Sequence, residues 1–565
     1  MPNVGIFMSE KKQGNNFIVQ AGILAAAGIV SRIIGLLYRS PLTSIIGDEG
    51  NGYYGAAYYW YTIILLVASY SIPSAISKVI SQKLALKEYR NAHRVFKCAF
   101  VYVIVVGGLA AVLCAVFAPN IVDGEAAAKV LRVFAPTIFF SGILGVLRGY
   151  FQAHKSMVQT SVSQILEQIL NALVSIGAAY LLINFMMGSM MIYDNPTAES
   201  EIAYNTERAT YGAMGSALGT GAGVLIALFF MAMIYILNRK MFKRRVERDR
   251  TPIDDSYGDI FKLLLSVVTP FILSTAIYNL SPVVNQKIFI TIMTGLKGIG
   301  ESEAYSLYGI YSGKPIVISN IPIAISSAFA SALIPGVSSS FTRKDYDATR
   351  RSVSLAIKCT MLIAIPSAVG LGVLAKPVTR VLFPQVASLD VASKLLMVLA
   401  VSVIFYSLST MSNAILQGIG KVNIPVINAA AALLIQTGVV WAILVYTDLG
   451  LYSLVIGNVV YSGCMCIFNN IAVAKYLDYR QEAKTTFILP LISALVMGAV
   501  AVGVYYGIYA LLPINIVAVV PAIVLGVMAY GVVILKSGAV TEEELSHIPK
   551  GKTLINVARK FHLLH

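Results

Sequence analysis

Long apolar runs dominate the chain, and its polar positions gather between those runs instead of alternating within them. Runs able to cross a hydrocarbon core of about 30 Å fall near 17–39, 53–80, 94–118, 127–151, 159–187, 211–238, 260–294, 303–334, 350–375, 391–416, 423–446, 451–475, 485–511 and 514–536. The pattern predicts fourteen transmembrane helices and not a barrel, because barrel strands would show short segments of alternating hydrophobicity. One run departs from the rule. The stretch SRIIGLLYR (31–39) sets Arg32 and Arg39 inside the first span.

Composition agrees with the pattern. Of 565 residues, 57% are hydrophobic and 12% charged, and the mean hydropathy is +0.76. Soluble domains carry about 25% charged residues, so the chain reads as an all-α integral membrane protein. Lys11 and Lys12 precede an apolar run too long for a signal-peptide core, and no cleavage site closes it. The net charge of +16 does not indicate nucleic acid, because the excess Lys and Arg fall in alternate loops. Lys83, Lys87, Arg90, Arg94 and Lys97, then RKMFKRRVERDR (239–250), then Arg343, Lys344, Arg350 and Arg351 share one side with both termini. Asp123 with Glu125, and the stretch 194–207, mark the other. Both termini are therefore expected in the cytoplasm. Besides setting topology, the 239–250 run could meet anionic membrane lipids. Five cysteines (Cys98, Cys114, Cys359, Cys464, Cys466) sit in or at the ends of apolar segments, as small core residues do.

The chain also repeats itself. Residues 126–156 align without gaps on 391–421, matching Lys129 with Lys394, Phe140 with Phe405 and Gln152 with Gln417. The segment from Ser71 through Pro73 to Ser77 recurs from Asn320 through Pro322 to Ser326. Helices 1–6 thus correspond to helices 7–12, and an even number per unit makes the repeats parallel. The expected organisation is an N-terminal lobe (1–238), a basic linker (239–259), a C-terminal lobe (260–478), two added helices (479–536) and a tail (537–565). Two parallel lobes around a central cavity are the architecture of an alternating-access carrier.

On a helical wheel Ala21, Ala25, Gly28, Arg32, Gly35 and Arg39 form one stripe. An arginine near mid-bilayer costs about 2.5–3.5 kcal/mol on insertion scales. Two explanations stand for Arg32: a structural ion pair with another helix, or a water-filled cavity that holds an anion. Glu167 is the clearest internal carboxylate partner, whereas Lys78, Lys287, Lys314 and Lys358 add to the basic side. Cations exceed anions at membrane depth, which favours an anion site. Asp48 and Glu49 lie in the first external loop as a turn or gate element. They could serve as the acids of a membrane glycosyltransferase, but no substantial external domain accompanies them.

These segments carry a resemblance. SRIIGLLYR, IGDEGNGYYGAAY (46–58), SIPSAISK (71–78), LRGYFQAHKSMVQTSVSQILEQI (147–169) and NIPIAISSAFASALIP (320–335) resemble the MurJ/SpoVB-like (YtgP-type) lipid-linked polysaccharide flippases of the MOP superfamily. The resemblance implies a transporter and not an enzyme. Its cargo would be an undecaprenyl-diphosphate-linked saccharide, with lipid II leading, and it would act as a monomer in the bacterial cytoplasmic membrane. Another lipid-linked polysaccharide, or a MATE-type drug or cation antiport activity, is the alternative. The resemblance further implies that Arg32 and, with one residue of extra spacing, Arg39 contact the headgroup. Lys314 would stand near a family arginine of helix 8, and Lys78 and Lys287 complete the candidate basic set. No cofactor or metal is implied. Helices 7, 11 and 12 lack the carboxylate pair that binds sodium in some relatives, so of the two energy sources open to such a carrier, membrane potential and an ion gradient, the first is favoured, worth about 2.3 kcal/mol per charge per 100 mV.

Overall fold

The computed structural model describes residues 10–70, 72–154, 156–187, 198–252, 256–540 and 559, with side chains from Ala26 onward except at 69–70, 72, 74, 198, 267–268, 270–271, 273–275, 278, 329 and 331–336. The expected tail beyond Val540 (Arg559 apart), residues 194–197 of the acidic stretch and the side chains of Lys11, Lys12, Ala21 and Ala25 lie outside the described residues. Every regular element among the described residues is helical, as hydrocarbon demands of a chain that must satisfy its backbone internally.

The first elements are α1 (Glu10–Leu65), α2 (Ile72–Ala85), α3 (Tyr89–Tyr102), α4 (Gly108–Ile121), α5 (Glu125–Ala153), α6 (Val158–Met187) and α7 (Ala198–Arg248). They are followed by α8 (Tyr257–Gly295), α9 (Glu301–Gly313), α10 (Pro315–Thr342), α11 (Tyr346–Val373) and α12 (Ala375–Leu382). The chain closes with α13 (Leu389–Gly418), α14 (Asn423–Tyr446), α15 (Tyr452–Leu477), α16 (Leu489–Leu511) and α17 (Asn515–Lys536). Eleven stretches among the described residues are long and apolar enough to cross a membrane. Many of their large side chains, such as Leu225, Phe229, Met233, Ile236 and Leu237 along α7, are exposed as lipid-facing residues are. The protein is a multi-pass membrane protein.

The α1 helix breaks at Gly47, whose φ of 71° is a left-handed value that suits glycine. The residues from Asp48 to Gly52, expected as a turn, instead wind directly into the next helical stretch, and the break is confined to Gly47.

By packing, the chain forms two compact units. One comprises 1–291 with 299–309, the other 292–298 with 310–565. In the first unit, α6 and α7 approach through Gly215, Gly219 and Gly223, spaced four apart. A Cβ on Gly215 would lie 2.4 Å from the Ala179 backbone, and one on Gly219 would lie 2.1 Å from the Ser175 hydroxyl oxygen. Small residues at every fourth position let membrane helices pack backbone to backbone where apolar burial offers little drive. Below this seam Phe96, Tyr150, Tyr235 and Phe242 build an aromatic core, with Phe96 and Tyr150 ring centroids 4.2 Å apart. Past α7, Asp249 accepts hydrogen bonds from the backbone N–H groups of Arg90 and Thr251, at 2.8 Å each. Desolvation works against the ionised Asp249 carboxyl, but these bonds outweigh it and hold the group below the usual carboxylate range.

In the second unit, α13, α14 and α15 are tied by amides: Asn428 donates to Asn469 (2.8 Å), and Asn469 donates to Asn413 (2.6 Å). The repeat seen in the sequence aligns element starts here, since the offset that carries 126 to 391 also carries the first residue of α6 to that of α14. At that offset Arg148 corresponds to Asn413 and Ser163 to Asn428. The first repeat therefore holds an ionic tie where the second has a neutral one.

Candidate functional site

The α1 stripe survives as space beside charge. A Cβ on Gly28 would meet nothing within 4 Å, and one on Gly35 only the Gln168 side-chain oxygen at 3.9 Å. Between them Arg32 is exposed. Among the described residues no carboxylate forms an ion pair with it.

Arg39, two turns further on, is half-buried, and tyrosines surround it in place of acids. Its guanidinium carbon sits 5.0 Å from the centre of the Tyr54 ring, on which Tyr58 stacks at 5.6 Å with Tyr59 edge-on beside it. Phe134 from α5 wedges the array in place, stacking on Tyr61 at 4.7 Å and tilting against Tyr54 at 5.5 Å. A ring face attracts the cation through its quadrupole but, unlike a carboxylate, does not cancel its charge. The guanidinium edge keeps its planar set of donors, which suits phosphate oxygens.

Glu167 is the correction that matters most. It pairs with Arg148 and not with Arg32, Nη2 to Oε2 at 2.7 Å, while Arg148 Nε donates to Ser163 at 2.9 Å. The side chains are 14% and 23% accessible, so the pair is largely enclosed. Arg148 lies inside both the repeat (126–156) and the 147–169 motif, and the signal for its role in the sequence is two opposite charges on consecutive spans.

Each remaining candidate has surroundings of its own. Lys78 is exposed on α2. Lys287 pairs with Asp123 at 2.9 Å and is about half exposed (45%), a pair worth roughly 0–1 kcal/mol. Lys314, the N-cap of α10, is 1% exposed and donates to the Ser388 hydroxyl, so it is enclosed by its own unit. Glu49 accepts from the Tyr53 and Thr206 hydroxyls at 2.8 Å each, joining α1 to α7. The Asp48 backbone carbonyl lies where a Cβ on Gly309 would fall, at 1.8 Å, so α9 packs tightly on this turn. Tyr305 donates to the Asp123 carbonyl, and its ring lies 4.8 Å from that of Tyr53. At the start of α9, partial burial and then the Asp123 charge push the Glu301 carboxyl up from its ordinary value. Among the described residues no cluster of His, Cys, Asp and Glu is arranged to hold a metal ion.

The many-span helical scaffold defines a class by fold alone, one it shares with solved structures from the MOP superfamily. The chain superposes with TM-score 0.63 on a MATE-family multidrug resistance transporter of that superfamily in its inward-facing conformation, at 18% identity, covering 81% of this chain and 98% of the other. It superposes with the same score on lipid II flippase MurJ in an inward closed conformation, at 14% identity, covering 90% and 97%. Within that class the chain belongs to the MurJ family, whose model, described as "Lipid II flippase MurJ", matches residues 89–525. The curated lipid II flippase MurJ of Bacillus subtilis (strain 168) is 25% identical over 449 residues, 76% of each chain.

Proposed function

We propose that the protein is an alternating-access flippase that moves an undecaprenyl-diphosphate-linked saccharide, with lipid II the first candidate, from the inner to the outer leaflet of the bacterial cytoplasmic membrane. In this reading fourteen crossings form two six-helix lobes and an added pair, with both termini cytoplasmic and the monomer as the working unit. The observation that carries it is Arg32, exposed on a helix lined by small residues and unpaired among the described carboxylates. An arginine that costs about 2.5–3.5 kcal/mol in the bilayer, and that no described carboxylate repays, is repaid by an anionic ligand.

Arg32 and Arg39 draw the diphosphate from the inner leaflet through forked hydrogen bonds. The polyprenyl tail stays in lipid, the lobes rock, and the headgroup leaves outward. Membrane potential supplies the drive. Lys314 and Lys287 are left out of this step, because one is enclosed and the other already holds Asp123. Arg32→Ala should abolish lipid II translocation in vesicles while membrane insertion stays normal. Wild-type translocation by that variant would sink the proposal.

The second reading, a MATE-type exporter of cations, has the fold likeness in its favour. It needs an available intramembrane carboxylate, and Glu167 is committed to Arg148. Drug susceptibility rising on depletion, without accumulation of lipid-linked precursors, would favour it.

A further inference from the structure

The segment from Tyr53 to Tyr61 packs six aromatic residues into nine positions, and core packing accounts for only some of them. Tyr53 meets Tyr305, while Tyr54 and Tyr61 lie against Phe134, and all three are buried. Tyr58 stacks on Tyr54 at 5.6 Å with planes 13° apart, and Tyr59 meets Tyr58 only edge-on at 6.4 Å. Tyr58 and Tyr59 are half-buried, in contrast to Tyr38 and Tyr54. A membrane-interface belt would explain tyrosines that turn toward lipid. It does not explain Tyr58 stacked on the ring that lies beneath the Arg39 guanidinium, with Tyr59 edge-on beside it.

We propose that Tyr59, backed by Tyr58, is the platform for the first sugar of the headgroup, with Tyr54 holding the Arg39 guanidinium against the diphosphate. This rests on the function proposed above. Chemistry fixes the placement: the first sugar is joined directly to the diphosphate, so it lies within one ring's breadth of whatever grips the phosphate. In the ring array that begins at Arg39, Tyr54 is buried, whereas Tyr58 and Tyr59 keep accessible surface to receive it. A tyrosine ring gives the C–H face of a pyranose an apolar surface, and its hydroxyl both donates to and accepts from sugar hydroxyls. A leucine would give the first without the second. The inferred ligand class is therefore a hexose on a diphosphate, and Tyr59 is a specificity-determining residue acting on the sugar.

The chain supplies its own reporter. It has two tryptophans, so Trp441→Phe leaves Trp60, next to Tyr59, as the only indole. The full-length single-tryptophan protein in nanodiscs is titrated with lipid II and with undecaprenyl diphosphate, which has no sugar. Tyr59→Leu should weaken lipid II binding about tenfold, the worth of roughly one stacked contact, and leave undecaprenyl diphosphate within twofold of wild type. Tyr59→Phe, which keeps the ring, should lose less. Arg39→Gln should weaken both ligands. Equal losses for both ligands in Tyr59→Leu would make the ring a mere support for Arg39 and overturn the sugar platform, as would no loss for either. Arg39→Gln binding both ligands like wild type would overturn the diphosphate reading itself. An unchanged melting temperature of Tyr59→Phe keeps the comparison valid should Tyr59→Leu fold poorly.

Discussion

Separating the arginine that holds the fold from those proposed to meet cargo requires breaking the Arg148–Glu167 pair. The pair makes one 2.7 Å charge-assisted bond, Arg148 makes a second bond of 2.9 Å to Ser163, and both side chains are largely enclosed. In a soluble core, removing one partner of a buried pair costs about 3–5 kcal/mol. In a bilayer the unfolded helices stay inserted and find other partners, and polar contacts between helices average only about 0.6 kcal/mol. A guanidinium abandoned between α5 and α6 falls between those limits, because it is enclosed but keeps its bond to Ser163. Glu167→Ala should therefore cost about 2 kcal/mol, Glu167→Gln about half that, and Arg148→Met with Glu167→Ala together about 1 kcal/mol or less. Reversible unfolding in mixed micelles across the four-variant cycle reads the coupling directly. The double variant should still translocate lipid II, since neither charge is free for cargo. A coupling below about 0.5 kcal/mol, or loss of transport in a stable double variant, would refute the structural assignment.

The other outcomes are quickly stated. Gly215→Leu should lower the melting temperature sharply, at a cost of about 3 kcal/mol or more, because its Cβ alone would fall 2.4 Å from the Ala179 backbone; Gly28→Ala, facing open space, is the tolerated control. Asn469→Leu strands the Asn428 and Asn413 amides it bridges and should cost about 1–2 kcal/mol by the same unfolding assay. Burial, helped by the Arg245 charge, holds the His154 imidazole below its ordinary value of 6.5 against the opposing hydrogen bond with the Tyr150 carbonyl. The unfolded chain then binds the extra proton first, so stability is full above that value and falls as pH drops through it toward 5. Melting curves between pH 8 and 5 should show the decline, and His154→Phe should flatten it.

The run lengths in the sequence were enough to specify helices and membrane, because hydrocarbon leaves a spanning chain no other way to satisfy its backbone. The arginine stripe was legible for the same reason: a charge inside an apolar run is conspicuous against its neighbours. The repeat could be read too, and Arg148, which corresponds to Asn413 at its offset, shows that each half has a polar tie at that position with different chemistry. What periodicity does not carry is which side chains meet across helices. Only the tertiary packing decided that Glu167 belongs to Arg148, that Lys314 is enclosed beside Ser388, and that Arg39 is ringed by tyrosines. The physical reason is that hydrophobicity along a chain sets how deep a residue sits. Partner choice is a matter of rotation and close approach, set here by glycines at 215, 219 and 223 that allow two helices to touch.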